Sequence, residues 1–212
     1  MHTMNKLEKR IIDISYHNKI GHLSSTLSTA NIVDEIYACK KKDDIFVLSN
    51  GHGALGLYVV LEKYLGLDAE ALYKKHGVHP HRDVDNDIHV STGSLGMGIT
   101  VAVGYALADT NRDVYCLISD GESGEGSVWE ALRFIYENKL TNIHIYANVN
   151  GQIAYDEIDV DYLCRRYQSF LPDIEIRITK PPVLGPAQGI LTHYYVLKEE
   201  DYKQICDTYS DN

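Results

Sequence analysis

Positive charge, cysteine pairs and long apolar runs are what this 212-residue chain lacks. Its 20 Lys and Arg stand against 30 Asp and Glu, a formal charge of −10, so the phosphates of nucleic acid or of an anionic membrane would be repelled. No apolar run approaches the roughly 20 residues that cross a bilayer, which excludes a helical membrane span. Cys39, Cys116, Cys164 and Cys206 lie far apart with no C-x-x-C pair. A zinc site and a disulfide framework are therefore disfavoured, and reduced structural thiols are expected. No G-x-G-x-x-G follows the first strand-like run, which argues against a nicotinamide-binding Rossmann protein. The N-terminal "MHTMNKLEKRIIDISYHNK" mixes charges of both signs and lacks the apolar core of a secretory leader, pointing to the cytoplasm. Repeats, low-complexity tracts and linkers are missing too, and one domain over 1–212 is expected.

What is present is ordinary for a globular protein, with 44% hydrophobic and 24% charged residues. Leu7, Ile11, Ile12 and Ile14 recur with helical spacing, and "STANIVDEIYACK" repeats the pattern after a Ser/Thr cap, leaving "GHLSST" as the connection. "DDIFVLSNGHG" predicts a strand ending in a glycine-bounded turn, and "ALGLYVVLEKYLG" a helix closed by Gly66. Residues 74–92 hold His76, His79, His81 and His89 without a regular period and read as an irregular loop. "GSLGMGITVAVGYALAD" reads as a helix and "DVYCLISD" as a buried parallel strand. "GSVWEALRFIYENK" and "NIHIYANVN" are the next helix and strand. "ITKPPVLGPAQG" reads as an ordered crossing loop before "HYYVL" and the helix "KEEDYKQICDTY". The alternation predicts an α/β fold, a parallel sheet with helices on both faces. Such sheets bind ligands beyond the carboxyl ends of their strands, so the turns at 50–53, 120–126 and 148–152 are expected to converge.

Asp120 follows one buried strand and Asn150 ends the next. A carboxylate, an amide oxygen and a backbone carbonyl, such as that of Gln152, are hard oxygen ligands suited to octahedral Mg²⁺, with places left for water and phosphate oxygens. A metal-bridged diphosphate is the guest this predicts.

"SDGESGEGSVWEALRFIYENKLTNIHIYANVNG" resembles the thiamine-diphosphate motif, a GDG followed about 30 residues later by an asparagine-containing strand end. With "GHLSSTLS", "FVLSNGHG", "VHP" and "STGSLGMG", the chain from about His22 to His193 resembles the N-terminal domain of the transketolases. The resemblance implies the thiamine-diphosphate-binding fold, with thiamine diphosphate and Mg²⁺ as cofactors. Asp120, Asn150 and the carbonyl of Gln152 would hold Mg²⁺, Gly121 would meet the diphosphate, and His52 would face it. The turn Gly93, Ser94 and Leu95 would present backbone groups to the aminopyrimidine ring. His22, His79 and, in "THYYVL", His193 would be the active-site histidines. Glu125 and Glu130 would lie at a contact between protomers and relay protons between cofactors. The implied reaction moves a two-carbon ketol unit from a ketose to an aldose. Near-neutral histidines suit proton exchange with the developing alkoxides, generally worth about 10²- to 10⁴-fold.

In the family a second domain supplies the pyrimidine-binding site and most of the grip on a sugar phosphate. The expectation is therefore the N-terminal subunit of a split transketolase, active with a C-terminal subunit that carries the pyrimidine-binding domain. Self-association through the present domain would make a heterotetramer acting on sugar or sugar-phosphate substrates. Ser119 replaces the first glycine of GDG, "NVN" the usual paired asparagines, and Leu23 to Ser25 the glycine or proline after the first GH. Alternatives are half of another thiamine-diphosphate enzyme, of deoxy-sugar phosphate synthase or 2-oxo acid dehydrogenase type, and a non-catalytic binding or regulatory subunit that kept the fold. The "SNGHG" and "STGSLG" pair favours transketolase over the dehydrogenase. His76, His81, His89 and His144 are expected to be surface or satisfied core residues. Asp120 and Asn150 could cap turns, and Glu125 and Glu130 could be first-turn acids beside a helix dipole.

Overall fold

Alternate residues of a strand face opposite sides of its sheet, and here that alternation builds two apolar cores around one sheet. The computed structural model describes residues 4–153, 156–180 and 194–209. Its strands are β1 (Ile45–Leu48), β2 (Val114–Ser119), β3 (Ile143–Val149), β4 (Gln152–Ile153), β5 (Asp156–Glu157) and β6 (Glu175–Ile178). A parallel sheet runs in the order β1-β2-β3-β6, while β4 and β5 form a small antiparallel hairpin. Ile45 pairs with Val114, and Ser119 with Asn148, so the carboxyl ends of the central strands lie side by side.

The helices are α1 (Lys6–Asn18), α2 (Leu23–Cys39), α3 (Ala54–Leu65), α4 (Ala69–His76), α5 (Met97–Ala108), α6 (Gly126–Glu137), α7 (Val160–Phe170) and α8 (Glu199–Tyr209). Phe46, Leu48, Leu117 and Tyr146 pack with buried residues of α1 to α4 on one face. Ile45, Val47, Cys116, Ile118, Ile145 and Val149 pack with those of α5, α6 and α7 on the other. Each fully buried Ile or Leu contributes about 1.5–3 kcal/mol relative to an exposed one, so the near-continuous apolar strands are what both layers require.

Local chemistry sets the helix ends. The Asn5 side chain accepts from the Glu8 N–H while the Glu8 carboxylate accepts from the Asn5 N–H, which starts α1. Gly66, at φ 70°, ends α3. Asp159 accepts from the Tyr162 N–H and starts α7.

Three differences from the sequence reading have physical causes. The segment "GHLSST" is mostly helix, because α2 begins at Leu23 and buries Leu23, Ser24, Thr26 and Leu27; packing outweighs the weak helix propensity of Ser and Thr. Residues 74–76 belong to α4, which Asp68 caps at the Glu70 and Ala71 N–H groups and whose last turn, Lys74, Lys75 and His76, suits the helix dipole. The glycine-rich stretch turns first and becomes helical only at Met97. The crossing-loop residues 181–190 lie outside the described residues. The expected final helix is α8, whose Tyr202 stacks on Tyr16 at 4.2 Å and donates to Asp13 at 2.8 Å. Among the described residues no disulfide links any of the four cysteines, and no helix is long and apolar enough to cross a membrane.

Candidate functional site

Four turns meet beyond the carboxyl ends of β1, β2 and β3. The first, Asn50–Gly53, leaves β1, where the Ser49 N–H donates to the Leu117 carbonyl at 2.9 Å. It lies against the glycine turn so closely that a Cβ on Gly51 would stand 2.8 Å from the Gly93 nitrogen. Asn50 is fully buried and donates through Nδ2 to the Thr29 hydroxyl at 3.0 Å. His52 projects from this turn with its ring centroid 6.1 Å from that of His22. His22 occupies the left-handed region, at φ 59°, where it begins α2.

Residues 92–96 form the glycine turn. The Thr92 N–H donates to the Pro80 carbonyl at 3.1 Å, and Gly93, at φ 150°, lies against the exposed His79, whose Cγ would be 3.0 Å from a Cβ there. Only a glycine combines that backbone with that contact. Ser94 accepts the Met97 N–H through its carbonyl at 3.3 Å, and Leu95 is half-buried.

The acidic turn after β2 converges on the turn after β3. One oxygen of Asp120, Oδ2, accepts the N–H groups of Asn150 at 2.7 Å, Gly151 at 2.8 Å and Gln152 at 3.1 Å; Oδ1 accepts that of Gly121 at 3.1 Å. Gly151, at φ 86°, makes the row of donors possible. The Asn150 side-chain oxygen accepts the Gln152 N–H at 3.0 Å. Burial pushes the Asp120 carboxyl above its ordinary pKa, and the four backbone bonds oppose that shift. Asp120 and Asn150 thus do cap a turn, and they do so side by side where strand-end ligands bind. Asp120, the Asn150 amide and the Gln152 backbone are brought together. Among the described residues no group of three or more His, Cys, Asp or Glu could hold a metal; the oxygens gathered at this turn are those of one carboxylate and one amide, hard donors of the kind Mg²⁺ takes.

The other expected residues divide. Glu125 and Glu130 are both exposed, and Glu125 Cβ would lie 2.8 Å from a Cβ on Gly96, which sets it beside the glycine turn. His193 lies outside the described residues; its neighbour Tyr194 stands with its ring 5.9 Å from His22. The four histidines expected to be structural are tied down or set apart from the strand ends. His76 contacts Asp83 at 3.0 Å and His89 contacts Asp87 at 3.0 Å, while His144 contacts Asp113 and stacks on Tyr115. His81 is exposed, its ring 6.3 Å from that of His76.

Sequence reasoning missed a second buried acid, Glu122, together with Ser49, Asn50 and Thr92. Glu122 has no exposed surface, and burial pushes its carboxyl above the ordinary value against bonds from Ser49, Gly96 and Ser119. The available signal was an acid two residues past Asp120 in a turn of small residues, where solvation is scarce. Two buried side-chain oxygens near these strand ends, those of Asn50 and Thr92, have no hydrogen-bond partner among the described residues. Buried polar atoms are normally paired, so these oxygens have capacity for further hydrogen bonds.

Comparison with known proteins agrees with the fold. The family model described as the thiamine diphosphate binding domain of transketolase matches residues 9–169. An apulose-4-phosphate transketolase subunit of Phocaeicola vulgatus is 34% identical over 158 residues, covering 65% of this chain and 56% of that protein. The protein so described from Actinobacillus succinogenes is 33% identical over 164 residues, covering 68% and 59%. The chain therefore spans less than two thirds of the length of these relatives. In fold, it superposes on transketolase from Leishmania mexicana with a TM-score of 0.68 at 21% identity, covering 99% of this chain and 42% of that one.

Proposed function

This chain belongs to the transketolase family through its thiamine-diphosphate-binding domain, and on that premise we propose that it is the diphosphate-binding subunit of a split transketolase. The observation that carries the reading is the joining of Asp120 to the Asn150–Gln152 turn, near the unpartnered oxygens of Asn50 and Thr92. When bound, thiamine diphosphate supplies a thiazolium carbon able to carry a two-carbon ketol fragment from a ketose to an aldose.

The residues of this chain bind and orient. Asp120, the Asn150 amide and the Gln152 carbonyl would hold Mg²⁺, which would offset the charge of the diphosphate; the carboxylate is aimed in advance by its four backbone donors. Gly121 and His52 border the diphosphate, and Gly93, Ser94 and Leu95 offer backbone groups to the aminopyrimidine. His22 and His79, with His193, exchange protons with substrate oxygens. Glu125 and Glu130 serve the contact between two copies of the chain.

Support for that contact comes from α5 and α6. On α5 Met97 is 52% exposed, Val101 38% and Leu107 50%, and on the adjoining α6 Phe134 is 37% exposed, while Glu125, which begins α6, lies beside Gly96 at the start of α5. Contiguous exposed apolar patches of this kind mark interfaces. Both relatives are described as one subunit of a transketolase, which supports a separate partner. In this reading the partner carries the pyrimidine-binding domain and completes a heterotetramer. Sugars or sugar phosphates are its substrates. Cysteines without a disulfide favour the cytoplasm.

The test is co-purification with the product of a neighbouring reading frame, followed by ketol-transfer assay with thiamine diphosphate and Mg²⁺. Turnover by the complex, absent from the isolated chain and abolished by chelation, is the expected result. Robust turnover by the isolated chain, or no cofactor binding by any complex, would overturn the reading.

A further inference from the structure

The start of α5 has no cap of its own, and the acid that caps it lies on another element. A helix start leaves backbone N–H groups unpaired, and the residue before α5 is Gly96, which has no side chain to satisfy them. Glu122 does so from the acidic turn. Its Oε1 accepts the Gly96 N–H at 3.0 Å and the Ser49 hydroxyl, and its Oε2 accepts the Ser119 N–H at 2.9 Å. Ser49 in turn accepts the Ile99 N–H at 3.2 Å. One buried carboxylate thereby joins the end of β1, the end of β2 and the first turn of α5. The joint is tight, since a Cβ on Gly98 would lie 2.5 Å from the Ser49 Cα.

We propose that Glu122 is a positioning residue that holds the glycine turn at a set distance from the Asp120 turn, so that one rigid frame grips both ends of the cofactor. This rests on the reading above, in which the acidic turn meets the diphosphate and the glycine turn meets the ring. It assigns Glu122 a selective effect. A ligand spanning both turns depends on Glu122, whereas a ligand touching only the Asp120 turn does not.

Glu122→Gln keeps the shape but replaces one acceptor oxygen with an NH₂ group. Whichever way the amide turns, it faces a backbone donor, either Gly96 or Ser119, and one N–H loses its acceptor. Ser49→Ala is a milder variant that removes the hydroxyl donor to Glu122 and the link to Ile99 but leaves the carboxylate its bonds from Gly96 and Ser119. Binding to the complex with the partner chain is measured by calorimetry, for thiamine diphosphate with Mg²⁺ and for inorganic pyrophosphate with Mg²⁺. Glu122→Gln is expected to weaken thiamine diphosphate about tenfold or more and pyrophosphate less than about threefold, as one orphaned buried donor implies. Ser49→Ala should act in the same direction but less. Equal weakening of both ligands, or of neither, overturns the proposal.

If the unmodified complex binds neither ligand, the functional reading fails, and hydrogen exchange in the free chain decides this inference separately. Faster exchange at Gly96 and Ile99 in Glu122→Gln, with Asn150 to Gln152 still protected, upholds the frame. Uniform change, or none, removes it.

Discussion

Asp120 and Glu122 stand two residues apart in one turn, are both buried, and do different work. Asp120 turns its oxygens to the N–H groups of Gly121 and of the turn after β3, beside half-buried Asn150. Glu122 turns its oxygens to Ser49, Gly96 and Ser119, with no exposed surface at all. The difference lies in what surrounds each carboxylate. Where the neighbours are a turn and unpartnered polar atoms, an acid can serve a ligand; where they are strand and helix ends, it becomes a joint.

Removing Asp120 should break that comparison most severely. Asp120→Ala takes the side-chain acceptor from the Asn150, Gly151 and Gly121 N–H groups, while Gln152 keeps the Asn150 side-chain oxygen, and an orphaned buried donor costs about 1–3 kcal/mol. Mg²⁺-dependent thiamine diphosphate binding should weaken by more than about a hundredfold and ketol transfer should vanish. Calorimetry showing wild-type affinity would deny Asp120 its place in the site.

Crowding the joint comes next. Gly98→Ala drives a Cβ against the Ser49 backbone and should lower stability by about 1–3 kcal/mol. By contrast Gly124, in the same turn as Glu122, faces open space, and Gly124→Ala should be neutral or stabilise by up to about 1 kcal/mol. Urea unfolding of the two variants compares them directly, and equal losses would mean that the close approach at Gly98 is not under load.

Acid separates the strand-end carboxyls from an ordinary surface anchor. Lys75, then Asn86, holds Asp83 down to about 2, so its contribution to the loop after α4 is complete above the usual aspartate value and is lost as pH falls through about 2. Asp120 and Glu122 have raised values. Their folded forms take up protons at higher pH than their unfolded forms, and the penalty for burying them as anions eases on acidification. Carboxyl-carbon NMR should show Asp83 titrating last of the three, and Asp83 titrating first would contradict the pairing with Lys75.

The smallest effect on stability is expected at the exposed apolar side chains of α5. Leu107→Ser alters a half-exposed side chain and should change stability by less than about 0.5 kcal/mol. Sedimentation should nevertheless show weaker pairing of copies, and unchanged association would move the interface elsewhere.

The strands were legible because burial on both faces makes them continuously apolar, as in "DVYCLISD". The Asp120 and Asn150 placement was legible because both follow such strands. The start of α2 was not legible, since Ser24 and Thr26 look like a loop until their burial against neighbouring helices is known. Nor were α7 and β6 assigned. Glu122 was overlooked because an acid in a glycine turn resembles any exposed turn residue, and its partners Ser49 and Gly96 lie 73 and 26 residues away.

By itself, then, the sequence determined the alternation of strand and helix, the family and the turns that carry polar residues, because periodicity and turn chemistry are local properties. Only the tertiary structure decided which acid meets the turn after β3 and which joins the ends of β1 and β2 to α5. That outcome depends on the donors and the solvent each carboxylate meets once β1, β2, β3 and α5 are packed together.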